Sequence, residues 1–236
     1  MATSKHKVVS RKEWLAARKA LLIKEKKFSY LREQLARQRR QLPWVTVEKE
    51  YIFEGPKVQE TLLDLFNDKS QLIVYHFMFG PDWGEGCSHC SFWADHYDGM
   101  VVHLNQRDVS FVVISRAPIA ELIPFKKRMG WHFKWVSSIR TDFNYDFHAS
   151  FRPEEIKSGA VFYNYKKVAM DITDREGLSV FYKDKKGKIF HTYSTFARGI
   201  DMVNTTYQFL DLVPKGRDEN SENPQDWVRY HDRYKI

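Results

Sequence analysis

The chain carries two cysteines, Cys87 and Cys90, with Ser88 and His89 between them. They follow an apolar, β-rich run, QLIVYHFMF (71–79), and a loop (80–86) with three glycines and a proline, and they precede a stretch with helical spacing. A cysteine in the first turn of a helix faces unsatisfied backbone N–H groups and the positive end of the helix dipole, both of which favour thiolate over thiol. The thiolate is the nucleophile of disulfide exchange, and a second cysteine one turn further on can attack the resulting mixed disulfide. In this reading Cys87 attacks and Cys90 resolves. A protonated His89 would favour the thiolate, whereas Glu85 and Asp82 oppose it. Ser88, Gly86 and Trp83 complete the immediate surroundings, and Trp93 lies further into the helix.

The same residues have other possible uses. Cysteine is often simply buried, so two packed, reduced thiols are the plain alternative. A zinc site needs about two more ligands than C-x-x-C supplies. His76 on the preceding strand and His96 are the candidates, with His103 on the same helix face as His96, but no second C-x-x-C and no H-x-x-x-H is present. His132, His148, His191 and His231 read as packing or surface residues. Arg116, after the second strand, would anchor an anion or form an ion pair. No phosphate-binding loop, G-x-S-x-G or dinucleotide fingerprint is present, so hydrolase and dinucleotide chemistry have no support and no organic cofactor is expected.

The elements that must position the pair can be read from periodicity. WVTVEKEYIF predicts a small pair of strands, and VQETLLDLF (58–66) a helix. Residues 71–79 predict a central strand, 87–105 one helix, and 109–114 a second buried strand. IAELIPFKKRMG predicts a helix ending at Gly130, and 131–176 an irregular insert. GLSVFYKD and KIFHTYS around Lys185-Lys186-Gly187 predict a β-hairpin, followed by a helix at about 200–213 and a polar tail. The order β-α-β, then hairpin and helix, makes the class α/β with a mixed sheet flanked by helices.

The 236 residues carry a formal charge of +8, and all of it comes from one end. Residues 1–42 hold 13 Lys and Arg against three acids, or +10, leaving the remainder at −2. Ser10 and Glu13 form a capping-box pattern and Pro43 disfavours helix before it, so a long N-terminal helix of roughly 45 Å is expected between them. Trp14, Leu21, Phe28, Leu35 and Leu42 recur every seven residues. That stripe is expected to dock on the body or on a second copy, giving a homodimer through this helix. No nucleic-acid fold signature accompanies the charge, so nucleic-acid binding is not expected. No run of eighteen apolar residues occurs and no signal-peptide pattern opens the chain, so a cytoplasmic protein without a membrane partner is expected. The expected organisation is a basic helical arm (1–43), a small strand pair and helix (44–68), a main domain (69–213) with its insert, and a tail (214–236).

Strand, loop, C-x-x-C at a helix start, then β-α and a late hairpin resembles the thioredoxin fold. The segments WLAARKALLIKEKK, LPWVTVEKEYIFEGP, QLIVYHFMFGPDW, CSHCSFWAD, SRAP, KRMGW, DFNYDF, SVFY, HTYSTFARG and DWVRYHDRY are spread over nearly the whole chain. They resemble a thioredoxin-like family of predicted dithiol–disulfide oxidoreductases, long catalogued as a domain of unknown function. The resemblance implies a thiol or disulfide substrate, on a protein or a small molecule, and a site shaped by the backbone opposite the cysteines. Thioredoxins carry a cis-proline there. The corresponding stretch here, Arg175-Glu176-Gly177-Leu178-Ser179, has none, so Gly177, Leu178 and Ser179 are the candidates. Peroxiredoxins resemble P-x-x-x-T-x-x-C, but Gly84 stands at the threonine position and Pro81 is one position too close.

Overall fold

The computed structural model describes residues 6–235. The chain divides into two compact units, one ending at Pro43 and one beginning at Trp44. The first is the expected helix, α1 (Arg11–Arg40). The Ser10 side chain accepts from the Glu13 N–H at 3.3 Å, and the Glu13 carboxylate accepts from the Ser10 N–H at 3.0 Å. This reciprocal cap satisfies two N–H groups that the helix itself cannot. No residue of α1 is buried, and Trp14 and Phe28 on the apolar stripe are 46% and 66% exposed.

The second unit is built on an eight-stranded mixed sheet. In chain order it contains β1 (Val45–Thr46), β2 (Ile52–Glu54), β3 (Gln59–Thr61), α2 (Leu62–Leu65), β4 (Gln71–His76), α3 (Ser88–Ala94), α4 (Asp98–Asn105), β5 (Val109–Ser115), α5 (Ile119–Arg128) and β6 (Lys134–Ser137). Then come α6 (Phe143–Asp146), α7 (Pro153–Lys157), β7 (Val161–Tyr163), β8 (Lys166–Val168), β9 (Gly177–Lys183), β10 (Ile189–Phe196) and α8 (Thr205–Leu210). The sheet order is β1-β10-β9-β4-β5-β6-β2-β3, and β7 and β8 form a separate hairpin. β4 lies at the centre, parallel to β5 and antiparallel to β9. The β4–β5 crossover beside the β9–β10 hairpin is the thioredoxin-like arrangement that the sequence suggested.

Side chains of β4 alternate between two cores, as a strand must when both faces are covered. Tyr75 and, just beyond the strand, Phe77 join the core that holds Cys90, Trp93 and Phe125. Leu72 and Val74 join the other, with Val112, Phe143 and Phe181. Phe181, fully buried, sits with its ring centroid 5.0 Å from that of Phe147 and 5.5 Å from that of His191. Replacing it with alanine should cost about 3–5 kcal/mol, the range for emptying an aromatic site in a close-packed core. Chemical denaturation of the variant measures this, and a loss below about 1 kcal/mol would show that this face of the sheet is loosely packed.

The structure differs from five expectations. The helix expected over 58–66 is β3 followed by the one-turn α2, which Thr61 caps by accepting from the Asp64 N–H. β1 and β2 do not pair with each other: β1 pairs with β10 and β2 with β3 and β6, towards opposite edges of the sheet. Alternation reports a half-buried strand and says nothing of its partner. The helix expected over 87–105 is two helices, broken where Asp95 accepts from the Trp131 indole and Asp98 accepts from the backbone N–H groups of His132 and Phe133. The supposed insert contributes β6 to the main sheet, parallel to β5. The final helix is a 3-10 segment, Ala197–Val203, followed by α8, which Asn204 caps by accepting from the Tyr207 N–H.

Candidate functional site

Cys87 is the N-cap residue of α3, and its position is fixed from both sides of the chain. Its N–H donates to the Met78 carbonyl at 2.9 Å, and its carbonyl accepts from the N–H and hydroxyl of Ser91, each at 2.9 Å. Cys90, one turn on, is buried, and its sulfur accepts from the Met78 N–H at 3.4 Å. Both thiols are free. Gly86 lets the chain pass the core here: a Cβ at this position would come within 2.6 Å of the Phe77 ring.

The electrostatics separate the two sulfurs. The Cys90 thiol donates to the Cys87 sulfur, and with the backbone N–H groups of Cys90 and His89 it holds the Cys87 thiol below its ordinary pKa despite burial. Burial, together with the neighbouring Cys87, pushes the Cys90 thiol well above its ordinary value. The charge of Glu85, one of the acids named from sequence, is met by two cations: its carboxylate pairs with Arg128 at 2.6 Å and Arg233 at 2.5 Å. His89 is not the cation that the sequence suggested. Burial lowers its pKa, and a backbone contact with Gln225 only partly offsets this, so the ring is neutral near pH 7.

Both cysteines open into a cavity of about 280 Å³, with His89 and Tyr75 on its wall. Of the stretch before β9, the residues that reach it are Arg175 and Glu176. Glu176 immediately precedes the strand, and burial raises its carboxyl pKa. Gly177 and Ser179 do not line the cavity. A Cβ on Gly177 would meet the Phe196 ring at 2.5 Å, and Ser179 is buried on the other sheet face, bonded to His76. Leu178 packs against the core on the cysteine side without lining the cavity. Trp83 folds over Gly80 and stays 38% exposed, also outside the cavity lining. Ser88 is half-buried beside Cys87.

The zinc ligands considered from sequence do not converge. His76 turns to the opposite core, its Nε2 2.9 Å from the Ser179 hydroxyl and its ring stacked on Phe143 at 5.7 Å. His96 Nε2 is 3.0 Å from the Thr206 hydroxyl. Among the described residues no group of three or more His, Cys, Asp or Glu side chains is disposed to hold a metal ion. Arg116 takes the ion-pair option, gripping the buried Asp174 through two nitrogens at 2.8 and 2.6 Å.

The remaining wall is one that periodicity could not reveal. Asp201 and Arg217 lie on it, and Asn223, Pro224 and Gln225 come from the segment read as a tail. That segment is fastened beside the cysteines by the Tyr230 hydroxyl, which donates to the Gly86 carbonyl at 2.6 Å. His231 and Asp95 add a contact at 2.7 Å, and Asp232 and Arg128 another at 2.8 Å. The aromatic residues of DWVRYHDRY were the available sign that this stretch packs rather than trails.

The family model described as "Bacterial protein of unknown function (DUF899)" matches residues 3–234. The chain belongs to this family. No curated protein matches this DUF899 member. Among solved structures it is similar to the peroxidoxin BcpB from Mycobacterium tuberculosis, at 13% identity and a TM-score of 0.46, covering 70% of this chain and 95% of that one. It is also similar to a putative thiol:disulfide interchange protein DsbE from Chlorobium tepidum, at 10% identity and a TM-score of 0.43, covering 71% and 94%. A third is the mitochondrial 2-Cys peroxiredoxin from Plasmodium falciparum, at 13% identity and a TM-score of 0.41, covering 70% and 92%. No helix of the DUF899 chain among the described residues is long and apolar enough to cross a membrane.

Proposed function

We propose that this protein is a thiol–disulfide oxidoreductase in which Cys87 attacks and Cys90 resolves. The observation that carries the reading is the asymmetry of the pair: one half-buried sulfur with a lowered pKa opens into a cavity, and one buried sulfur with a raised pKa lies behind it. A lowered pKa supplies thiolate at neutral pH for the first attack. A raised pKa keeps the second sulfur protonated until the mixed disulfide has formed, and the thiol then becomes the nucleophile that releases the product. Glu176, partly buried beside both sulfurs, has a carboxyl pKa raised by burial, which suits it to exchange a proton with the site during this cycle. With only two cysteines, both free, the pair can turn over in a reducing cytoplasm without a structural disulfide to protect.

The test is mass spectrometry after mild oxidation and thiol alkylation. The expected product has lost two hydrogens, accepts no alkyl group, and yields a Cys87–Cys90 disulfide peptide. If both thiols remain alkylatable under oxidants that convert ordinary dithiols, the proposal fails.

A further inference from the structure

The geometry points to a small zwitterionic disulfide or thiol, of the amino-acid or short-peptide kind, as the substrate of the cysteine cavity, in preference to a disulfide held in a folded protein. This rests on the oxidoreductase reading above and narrows it.

The first ground is access. An extended polypeptide binds through hydrogen bonds to free backbone groups, as peptides do along a free sheet edge. Here the carbonyl next to Cys87, that of Gly86, is already taken by the Tyr230 hydroxyl at 2.6 Å. The segment around Tyr230 is held down on either side of that bond. Arg128 joins Glu85 and Asp232 at 2.6 and 2.8 Å, Arg233 joins Glu85 at 2.5 Å, and His231 meets Asp95 at 2.7 Å. A protein substrate would have to displace this set of contacts. A ligand that fits a cavity of about 280 Å³ would not.

The second ground is the charge on the wall. Of the three arginines lining the cavity, Arg217 is satisfied by Asp201 at 3.0 Å and Asp211 at 2.9 Å. Arg175 donates through Nε to the Met170 sulfur at 3.2 Å and makes no ion pair within 4 Å among the described residues, its charge acting at longer range on the neighbouring Glu176 carboxyl. Arg198 is 87% exposed, and the carboxylate it approaches, Asp201 at 3.4 Å, is shared with Arg217. Two guanidinium groups therefore keep planar donor pairs that match a ligand carboxylate. Glu219, also on the wall, accepts from the Tyr207 hydroxyl and the Trp227 indole through Oε1 only, which leaves its second oxygen to meet an ammonium. Carboxylate and ammonium on one small sulfur compound is the complement of this lining.

In the reaction the Cys87 thiolate attacks one sulfur of R–S–S–R. A Cys87–S–R bond forms and RS⁻ leaves. Cys90 passes its proton to the first RS⁻, giving RSH, and attacks the Cys87 sulfur; the Cys87–S–R bond breaks, and the second RS⁻ leaves and takes its proton from water. The protein dithiol loses two electrons and the substrate gains them, giving two thiols.

The experiment is single-turnover oxidation of the reduced full chain, followed by rapid alkylation and mass spectrometry. It uses three oxidants at equal concentration: glutathione disulfide, the uncharged bis(2-hydroxyethyl) disulfide, and insulin. Glutathione disulfide should react at least ~10-fold faster than the uncharged compound, since one charge-assisted contact suffices for that ratio, and insulin should be the slowest. In the double variant Arg175→Gln, Arg198→Gln the ratio of the glutathione disulfide rate to the bis(2-hydroxyethyl) disulfide rate should fall about 10-fold. The inference is overturned if insulin is the fastest oxidant, or if that ratio is the same in the variant. If no disulfide of any class oxidises the pair, the oxidoreductase reading itself falls and this inference falls with it.

Discussion

Cys87→Ser should leave disulfide exchange at background, roughly 10³-fold or more below the native chain, because removing the nucleophile of a catalytic unit removes nearly all that the unit does. Cys90→Ser should behave differently. Its Cys87 still attacks, and the reaction stops at the mixed disulfide, so the intact mass rises by one R–S group for each chain. The two variants together identify which sulfur faces the substrate, and the burial of Cys90 behind Cys87 sets the expectation. The pH dependence follows from the pKa directions. Donation from Cys90 and from backbone N–H groups lowers the Cys87 pKa, so its alkylation rate should reach half-maximum at a lower pH than that of an ordinary exposed cysteine. In Cys90→Ala, which removes the first of these donors, the half-point should move up. Faster alkylation of Cys90 than of Cys87 in the native chain would reverse the assignment.

The second large effect concerns stability in acid. His76 is fully enclosed between Phe143 and Ser179, and burial lowers its pKa from 6.5 to about 3. The unfolded chain takes up a proton near pH 6.5, whereas the folded chain refuses it until about pH 3. The unfolded state therefore binds more protons across this window, and stability falls as pH drops through it, by up to about 1.4 kcal/mol per pH unit from this one group. His76→Gln keeps a polar partner for Ser179 without the titrating ring. Its denaturation free energy should change less steeply than that of the native chain between pH 6.5 and pH 4, with the difference vanishing above pH 7.5. Parallel slopes for the two chains would show that His76 titrates normally and is not enclosed.

What could be read from the residues in advance was whatever depends on neighbours in the chain. The Ser10–Glu13 cap, the central strand of QLIVYH, and the placement of Cys87 at a strand–loop–helix junction are local patterns, and the structure has each of them. The break between α3 and α4 depends on Asp95 and Asp98 reaching Trp131 and His132, more than thirty positions away, and no periodicity reports such partners. The same holds for the cavity wall. Sequence order places Gly177, Leu178 and Ser179 opposite the cysteines, yet the pleat turns Ser179 to the far core, and Arg175 and Glu176 reach the cavity instead. The polar composition of 214–226 suggested a solvated tail, while Trp227, Val228 and Tyr230 after it supply the packing that fastens the segment.

The position of β4 between β5 and β9 also has a kinetic consequence. Its pairing with β5 closes a loop of a few dozen residues, but its pairing with β9 joins Gln71 to Tyr182, 111 positions apart. Closing the longer loop takes more chain entropy before any contact repays it, which places such a step among the slow ones in folding. The β4–α3–α4–β5 half can therefore assemble first, with the cysteines already at their helix start. Glu176 and the Tyr230 segment arrive later. In that order of assembly the two thiols would stand at their helix start before Glu176 and the Tyr230 segment border them, and reduced chain pulsed with an oxidant early in refolding should lose its thiols faster than the folded chain does.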